Sequence, residues 1–333
     1  MDRRTFCLCA FVVVFLPCAL AADEVPRYFV VGHRPWRMSA DNTLTRYELQ
    51  VLPKDLALYG TPEISISPDM RSAVIGRTRD LFLIDLQSGL EQQISHFGQE
   101  WDAEFAAVQV RFTAWAADSK SVLFCVEPDY PFTDSDAKSR MRRFSYGFYK
   151  YDVPAKSVHK ASGMIEFKVL LPDGRMIGAD RRKSYPAQEL RWVRAGKLGP
   201  IFIRGLTGAS QVAASADNEW LLAAVLTEST SQIYAIDVNR AKAEAISPKG
   251  RFAEYQWPSF SPSGKHRAYV QEGPVHSGLV ADDLIIDGAK KFACGTRVNY
   301  AWIDEQRIGL LCEPKVYVLD AASGAILAQH AFN

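Results

Sequence analysis

A turn signal that returns every 41 to 55 residues, apolar strands of four to six residues, and no sustained helical period predict an all-β protein. Periods of this length with three or four short strands each are the mark of a β-propeller with four-stranded antiparallel blades. Each repeat reads as a strand ending in a Ser-Pro-Asp-like turn, a second apolar strand, and a third ending in aliphatic-Asp. Proline fixes φ on the way into the turn, aspartate binds neighbouring backbone N–H groups, and Gly or Asn takes the left-handed position.

The copies follow one another along the chain. The first runs from Glu63 through Ser67-Pro68-Asp69, then Ser72 to Gly76 and Leu81 to Asp85. The second has Trp115-Ala116-Ala117-Asp118, Val122 to Val126, and Phe148 to Asp152. The third has Leu171-Pro172-Asp173-Gly174 with a weaker final strand, Glu189 to Val193. The fourth has Ser215-Ala216-Asp217-Asn218, Trp220 to Leu226, and Ile233 to Asp237. The fifth has Phe260-Ser261-Pro262-Ser263-Gly264, Ala268 to Gln271, and Leu284 to Asp287. The sixth has Trp302-Ile303-Asp304, Ile308 to Cys312, and Val316 to Asp320. Residues 25–60 precede these six repeats and hold the strand-like runs Tyr28 to Val31 and Leu44 to Leu52. They form either a partial seventh blade or an outer strand that closes a six-bladed ring. Seven blades are expected, six the alternative, in one domain over 22–333 whose recognisable repeats occupy 61–333.

Residues 1–21 read as a secretory signal. Arg3 and Arg4 precede an apolar run that ends in Ala19-Leu20-Ala21, a small-x-small cleavage pattern. Export to the periplasm is the expectation. Leu16-Pro17-Cys18 lacks the small residue that precedes a lipidated cysteine. Loss of Asp2, Arg3 and Arg4 leaves 37 basic against 37 acidic side chains. A neutral chain has no field to gather phosphates, so nucleic acid is not an expected partner. No second apolar stretch reaches the length of a membrane span, and a monomer is expected. Cys125, Cys294 and Cys312 remain after the signal, an odd number that rules out a complete disulfide framework. Buried thiols are the leading expectation, and one bridge, Cys294–Cys312, the alternative.

The turn and strand pattern resembles the PD40 repeats of TolB-like β-propellers. Pro68-Asp69, Pro172-Asp173-Gly174-Arg175 and Ser261-Pro262-Ser263-Gly264-Lys265 carry the resemblance, which spans about residues 61–325. Ser263 stands where the repeat usually has Asp, and Ala116-Ala117 and Ala216 replace Ser-Pro. The resemblance implies the propeller part alone, without the α/β domain that precedes it in TolB. It implies a fold and no chemistry, because the motif is structural.

Catalytic signatures are weak. TolB-like propellers also precede serine peptidase domains, but the chain has no Gly-x-Ser-x-Gly elbow. The six histidines are dispersed, with no ligand spacing, so no metal or cofactor is expected. Asp129, Asp134 and Asp136 lie in one insertion, Pro128 to Arg143, that lacks the ordered spacing of a calcium loop. That insertion reads as a solvated loop or a partner contact. Arg181-Arg182-Lys183 beside Tyr185 reads as a hairpin tip or an acidic-partner contact, and Asp282-Asp283 as a turn.

Propeller geometry supplies the candidate site. The innermost strand of each blade runs along the central channel, and the residues that begin it ring one mouth. Counting back from the turns selects Glu63, Arg111, Phe112, Glu166, Phe167, Gln211, Trp257 and Asn299. This mixture of carboxylates, amides, an arginine and aromatics suits a peptide or another secreted protein, with Trp257, Arg111 and Glu63 foremost. The alternative is a lyase or glycoside-active hydrolase, which needs two carboxylates about 5–9 Å apart. Glu63 and Glu166 are its candidates.

Overall fold

The computed structural model describes residues 26–331 except 32–33, 48–63, 78–79, 97–107, 117, 129–146, 163–164, 181–182, 184–186, 227–229, 250–253 and 274–280. The signal segment, Glu63, most of the Pro128–Arg143 insertion, Arg181, Arg182 and Tyr185 lie outside the described residues.

Seven antiparallel sheets follow one another in chain order. Sheet 1 holds β1 (Arg27–Val31), β2 (Arg34–Met38) and β3 (Leu44–Arg46). Sheet 2 holds β4 (Ile64–Ile66), β5 (Ser72–Arg77), β6 (Asp80–Asp85) and β7 (Glu91–Gln93). Sheet 3 holds β8 (Val108–Trp115), β9 (Ser121–Pro128), β10 (Gly147–Asp152) and β11 (Ser157–Ser162). Sheet 4 holds β12 (Ile165–Leu170), β13 (Met176–Asp180), β14 (Arg191–Arg194) and β15 (Lys197–Ile201). Sheet 5 holds β16 (Ala209–Ala214), β17 (Trp220–Leu226), β18 (Ser231–Asp237) and β19 (Lys242–Ala245). Sheet 6 holds β20 (Glu254–Phe260), β21 (Arg267–Glu272), β22 (Asp282–Ile286) and β23 (Ala289–Ala293). Sheet 7 holds β24 (Val298–Trp302), β25 (Arg307–Cys312), β26 (Lys315–Asp320) and β27 (Ile326–Ala331).

These sheets are the seven blades of a β-propeller, and the N-terminal residues form a blade of their own rather than the rim of a six-bladed ring. Blade 1 has three described strands where four were expected. First strands touch at β1–β4, β4–β8, β12–β16, β16–β20 and β24–β1, and hydrogen bonds join β20 to β24, so the first strands line the axis.

In blades 3 and 5 the second strand is buried on both faces, and its side chains alternate between the two neighbouring gaps. Val122 and Phe124 face blade 2, whereas Leu123 and Cys125 face blade 4. Leu221 and Ala223 face blade 4, whereas Leu222 and Ala224 face blade 6. One apolar cluster accordingly fills each of the seven gaps. Trp115 lies between blades 2 and 3 and donates from Nε1 to Ser65 O at 3.1 Å. Each blade is built from consecutive strands, so blades 1 and 7 close the ring by side chains alone. Phe29, Trp36, Met38 and Leu44 meet Ile303, Val316 and Val318 there.

The turns form a belt on one face. Asp69, Asp118, Asp173, Asp217 and Asp304 each accept the backbone N–H two residues on, at 2.9 to 3.1 Å. Asp41 does the same for Thr43. Its turn, Ser39-Ala40-Asp41-Asn42, repeats Ser215-Ala216-Asp217-Asn218 residue for residue, but it joins the second and third described strands of blade 1 where the other turns join the first and second. The left-handed position falls to Asn42, Asn218, Gly174 and Gly264, but also to Met70 and Ser119. Adjacent turns are bonded. Ser119 Oγ accepts Asp69 N–H at 3.1 Å, Asn218 Oδ1 accepts Asp173 N–H at 2.9 Å, and Arg307 donates to Asn42 Oδ1 at 3.0 Å.

Blade 6 departs from this rule where Ser263 replaces Asp. In blades 2 and 5 the turn's own Asp accepts from Ser67 Oγ at 2.6 Å and from Ser215 Oγ at 2.5 Å. In blade 6 Glu305 of blade 7 takes that role, accepting from Ser261 Oγ at 2.8 Å, from Ser263 Oγ at 2.7 Å, and from Ser263 N–H. Burial pushes the Glu305 carboxyl up, but these three donors outweigh it and hold the group below its ordinary range.

Two expectations are corrected. Cys294 and Cys312 are joined, with Cα atoms 5.8 Å apart, and tie the end of blade 6 to the second strand of blade 7, while Cys125 stays a buried thiol. Asp282-Asp283 is the start of β22, not a turn. A hairpin register, invisible in the sequence, decides that.

Candidate functional site

Four consecutive innermost strands carry a β-bulge. The extra residues are Phe112 in β8, Lys168 in β12, Ser210 in β16, and one residue of the Trp257-Pro258 pair in β20. A bulge re-aims side chains and commonly lies beside a functional site. Arg111 sits immediately before the β8 bulge, opposite Cys125 in the ladder.

Trp257 is the most unusual of the candidates. Its backbone takes a left-handed φ of +56° and its side chain is 51% exposed. For a bulky residue that conformation costs on the order of 1–3 kcal/mol and persists only where the surroundings impose it. The two neighbouring blades impose it. Gln211 Oε1 of blade 5 accepts the Trp257 N–H at 2.5 Å, and Tyr300 of blade 7 donates its hydroxyl to Trp257 O at 2.5 Å.

Behind this clamp runs a hydrogen-bond chain. Trp302 Nε1 donates to Ser259 Oγ at 3.1 Å, and Ser259 donates to Tyr300 Oη at 2.9 Å. Burial drives the Tyr300 phenol far above its ordinary value, against a smaller opposing pull from Ser259. The phenol keeps its proton and so remains a donor to Trp257. A chain with every donor directed one way strengthens each of its bonds.

Glu166 has a different setting. It faces Lys168 Nζ at 2.7 Å, a side chain only 4% exposed, and Gln188 Nε2 at 2.8 Å. Both of its oxygens are occupied within blade 4. Phe167 is buried and packs on Phe148 in the gap between blades 3 and 4. Asn299 lies in β24 opposite Leu311, one residue before Tyr300. The structure therefore brings Gln211 and Trp257 together, sets Asn299 beside their partner Tyr300, and leaves Glu166 in a separate ion pair.

Residues that sequence reasoning passed over complete the site. Tyr300, Ser259 and Trp302 hold Trp257, and Glu254, Glu272 and Asp282 line up on the same blade. Glu254 pairs with Glu272 and Glu272 with Asp282 across three strands. Only the hairpin register reveals that row, because the residues are 18 and 10 positions apart. No three His, Cys, Asp or Glu among the described residues are placed to hold a metal ion.

No protein-family model matches the chain, and no curated protein matches it. Solved structures do. TolB from Acinetobacter baumannii is 14% identical with a TM-score of 0.51, over 80% of this chain and 62% of TolB. Hydrazine synthase of Kuenenia stuttgartiensis is 14% identical with a TM-score of 0.52, over 83% and 80% of the two chains. A structure from a mechanistic analysis of two prolyl endopeptidases is 14% identical with a TM-score of 0.56, over 92% of this chain and 49% of that one. The chain thus spans about three fifths of TolB and half of the endopeptidase. The likeness is one of fold, and the proteins that share it include enzymes.

Proposed function

We propose that this TolB-like β-propeller is an exported binding scaffold, directed to the periplasm by residues 1–21. It captures a protein or peptide segment at one mouth of its channel. Trp257 is the anchor, beside Gln211 and Asn299, with Arg111 and Glu63 as the further candidates that the sequence offers. One observation carries this reading: a half-exposed indole held in a strained conformation by side chains from both neighbouring blades. A fold gains nothing in its own packing from such an arrangement, whereas exposed, rigid aromatics are what binding hot spots are made of. An enzymatic reading through Glu63 and Glu166 has less support, because Lys168 and Gln188 already occupy both Glu166 oxygens.

The test compares wild type and Trp257→Ala as bait for periplasmic extract, with the affinity for any captured protein then measured on purified components. Loss of an aromatic hot spot should weaken binding by about 2 kcal/mol, roughly 30-fold. Thermal stability should be unchanged, since the ring is exposed and its contacts to Gln211 and Tyr300 are made by backbone. Undiminished binding by Trp257→Ala would put the site elsewhere. A turnover lost in Glu166→Gln, with binding retained, would favour the enzyme.

A further inference from the structure

Three residues before Trp257, strand β20 begins at Glu254. In the sheet 6 ladder, Glu254 lies opposite Glu272 and Glu272 opposite Asp282. The parity of these strands fixes the side on which the row lies. Ala268, Val270, Leu284 and Ile286 pack on blade 7. Glu272 and Asp282 are each two residues from members of that set, so they face blade 7 as well. Glu254 shares the face, because it stands two residues from Gln256, the partner of Val270. With neighbouring strands about 4.8 Å apart, three carboxylates form a row across the end of sheet 6 on the face turned to blade 7.

Among the described residues this row is only partly neutralised, with Gln256 Nε2 reaching Glu254 Oε2 at 3.3 Å. Asp282 is 3% exposed; its Oδ2 accepts the Val298 N–H at 2.9 Å and the Gly273 backbone adds a weaker pull, while its Oδ1 has no partner at hydrogen-bond distance among the described residues. Among those residues no lysine or arginine forms an ion pair with Glu254 or Glu272. Arg297, an exposed side chain from the far wall, acts on Glu272 and Asp282 through its field alone. Burial raises the Glu272 carboxyl, and the charges of Asp282 and Glu254 raise it further. The site therefore favours an added positive charge.

We infer that the gap between blades 6 and 7 takes an arginine or lysine side chain of the captured peptide, its charge on Glu254 and Glu272 and its neighbouring backbone on Trp257. Trp257 and Glu254 are three residues apart along β20, roughly 10 Å, which an extended arginine side chain and the reach of the indole together cover. Carboxylates on adjacent strands suit the fork of a guanidinium. The absence of a three-ligand cluster among the described residues argues against a metal ion as the occupant. The inference rests on the reading of Trp257 as a peptide anchor.

The experiment titrates the full chain with three probes by calorimetry: acetyl-(Gly-Arg)4-amide, the same peptide with citrulline for arginine, and calcium chloride. The arginine peptide should bind, and the citrulline peptide should bind about tenfold more weakly or worse. Glu254→Gln and Glu272→Gln should each weaken the arginine peptide by about tenfold. Glu272→Gln should melt no lower than wild type, since it removes like-charge repulsion, and Glu254→Gln gives an independent reading. Equal binding of both peptides, lost in Trp257→Ala, would overturn the cation site while leaving the anchor intact. Arginine-peptide binding unaffected by both glutamine variants would also overturn it, as would calcium binding that either variant abolishes. Absence of peptide binding, together with partner capture that is indifferent to Trp257→Ala, would overturn both readings.

Discussion

Replacing Gly309 by alanine should open the ring at its seam. Blades 1 and 7 exchange no strand, so their junction depends on how closely side chains approach. At Gly309 in β25 an added Cβ would lie 2.3 Å from Phe29 Cε2, 2.4 Å from Cδ2 and 3.1 Å from Cζ. Comfortable carbon contacts need about 3.5–4.0 Å. The Phe29 ring must therefore retreat by more than about 1 Å. It has nowhere to go, being 2% exposed and enclosed by Val31, Trp36, Ile303, Val316 and Val318. Overpacking of this kind costs about 1–3 kcal/mol, and the backbone entropy that alanine saves returns roughly 0.5–1 kcal/mol. A net loss of about 1–2 kcal/mol is expected in urea titration, seen as a lower midpoint at unchanged slope. Phe29→Ala alone should cost about 3–5 kcal/mol. In that background the Gly309→Ala methyl enters the space the ring has left, so the double variant should be more stable than the sum of the two predicts. The coupling should be about 0.5–3 kcal/mol. Strict additivity, or a Gly309→Ala protein as stable as wild type, would show that Phe29 and Gly309 do not form the seam.

Three further outcomes follow from the turns and the bridge. Ser263→Asp restores the common turn residue yet should lower the melting temperature, because the new carboxylate meets Glu305 over the same donors; Ser263→Asp with Glu305→Gln should recover it, and a rise in the single variant would contradict the account. Acid should unfold the protein through its turns. Ser39 and Thr43 hold Asp41 at about 2 against an ordinary 3.8, and hydrogen bonds also depress Asp217, Asp85 and Asp320, led by Ser215, Ser88 and Ser323. A depressed folded pKa gives stability that is complete above the unfolded value and lost as pH falls through the folded one. Urea midpoints should therefore hold steady above about pH 5 and drop between about 4 and 2, less steeply in Asp217→Asn; a flat profile to pH 2 would refute this. Replacing Cys294 and Cys312 together by serine should cost about 3 kcal/mol, the chain-entropy value for their separation of 18 residues. A loss below about 1 kcal/mol would mean that the unfolded chain without the bridge already keeps residues 294 and 312 near one another.

The blades were legible because their turns are local chemistry. An aspartate that bonds the N–H two residues on leaves the same short pattern wherever it occurs. The turn at Ser39 to Asn42 matches residues 215–218 but stands outside the repeat, because it joins the second and third strands of its blade and no Leu- and Ile-rich strand follows it. The candidate site was partly legible. Counting back from the turns found Trp257 and Gln211, since strand length is regular, but not the left-handed φ, which depends on side chains from two other blades. Glu254, Glu272 and Asp282 stayed hidden for a different reason. Two hairpin registers must be known before residues so far apart can be seen on one face. The Cys294–Cys312 bridge was legible only as the alternative to buried thiols, because it joins two blades.

Glu305 has a consequence for how separable the blades are. With a carboxylate from blade 7 on the donors of Ser261 and Ser263, an aspartate in the blade 6 turn is redundant and a serine can stand there. The two positions are coupled. With Ser263 in place the turn depends on Glu305, and with Glu305 in place an aspartate at 263 is repelled. A change at either position alone is expected to cost stability, which makes blades 6 and 7 obligate neighbours. Blade 6 is no longer a portable unit. Moved beside a different blade, it would carry a turn that lacks its acid.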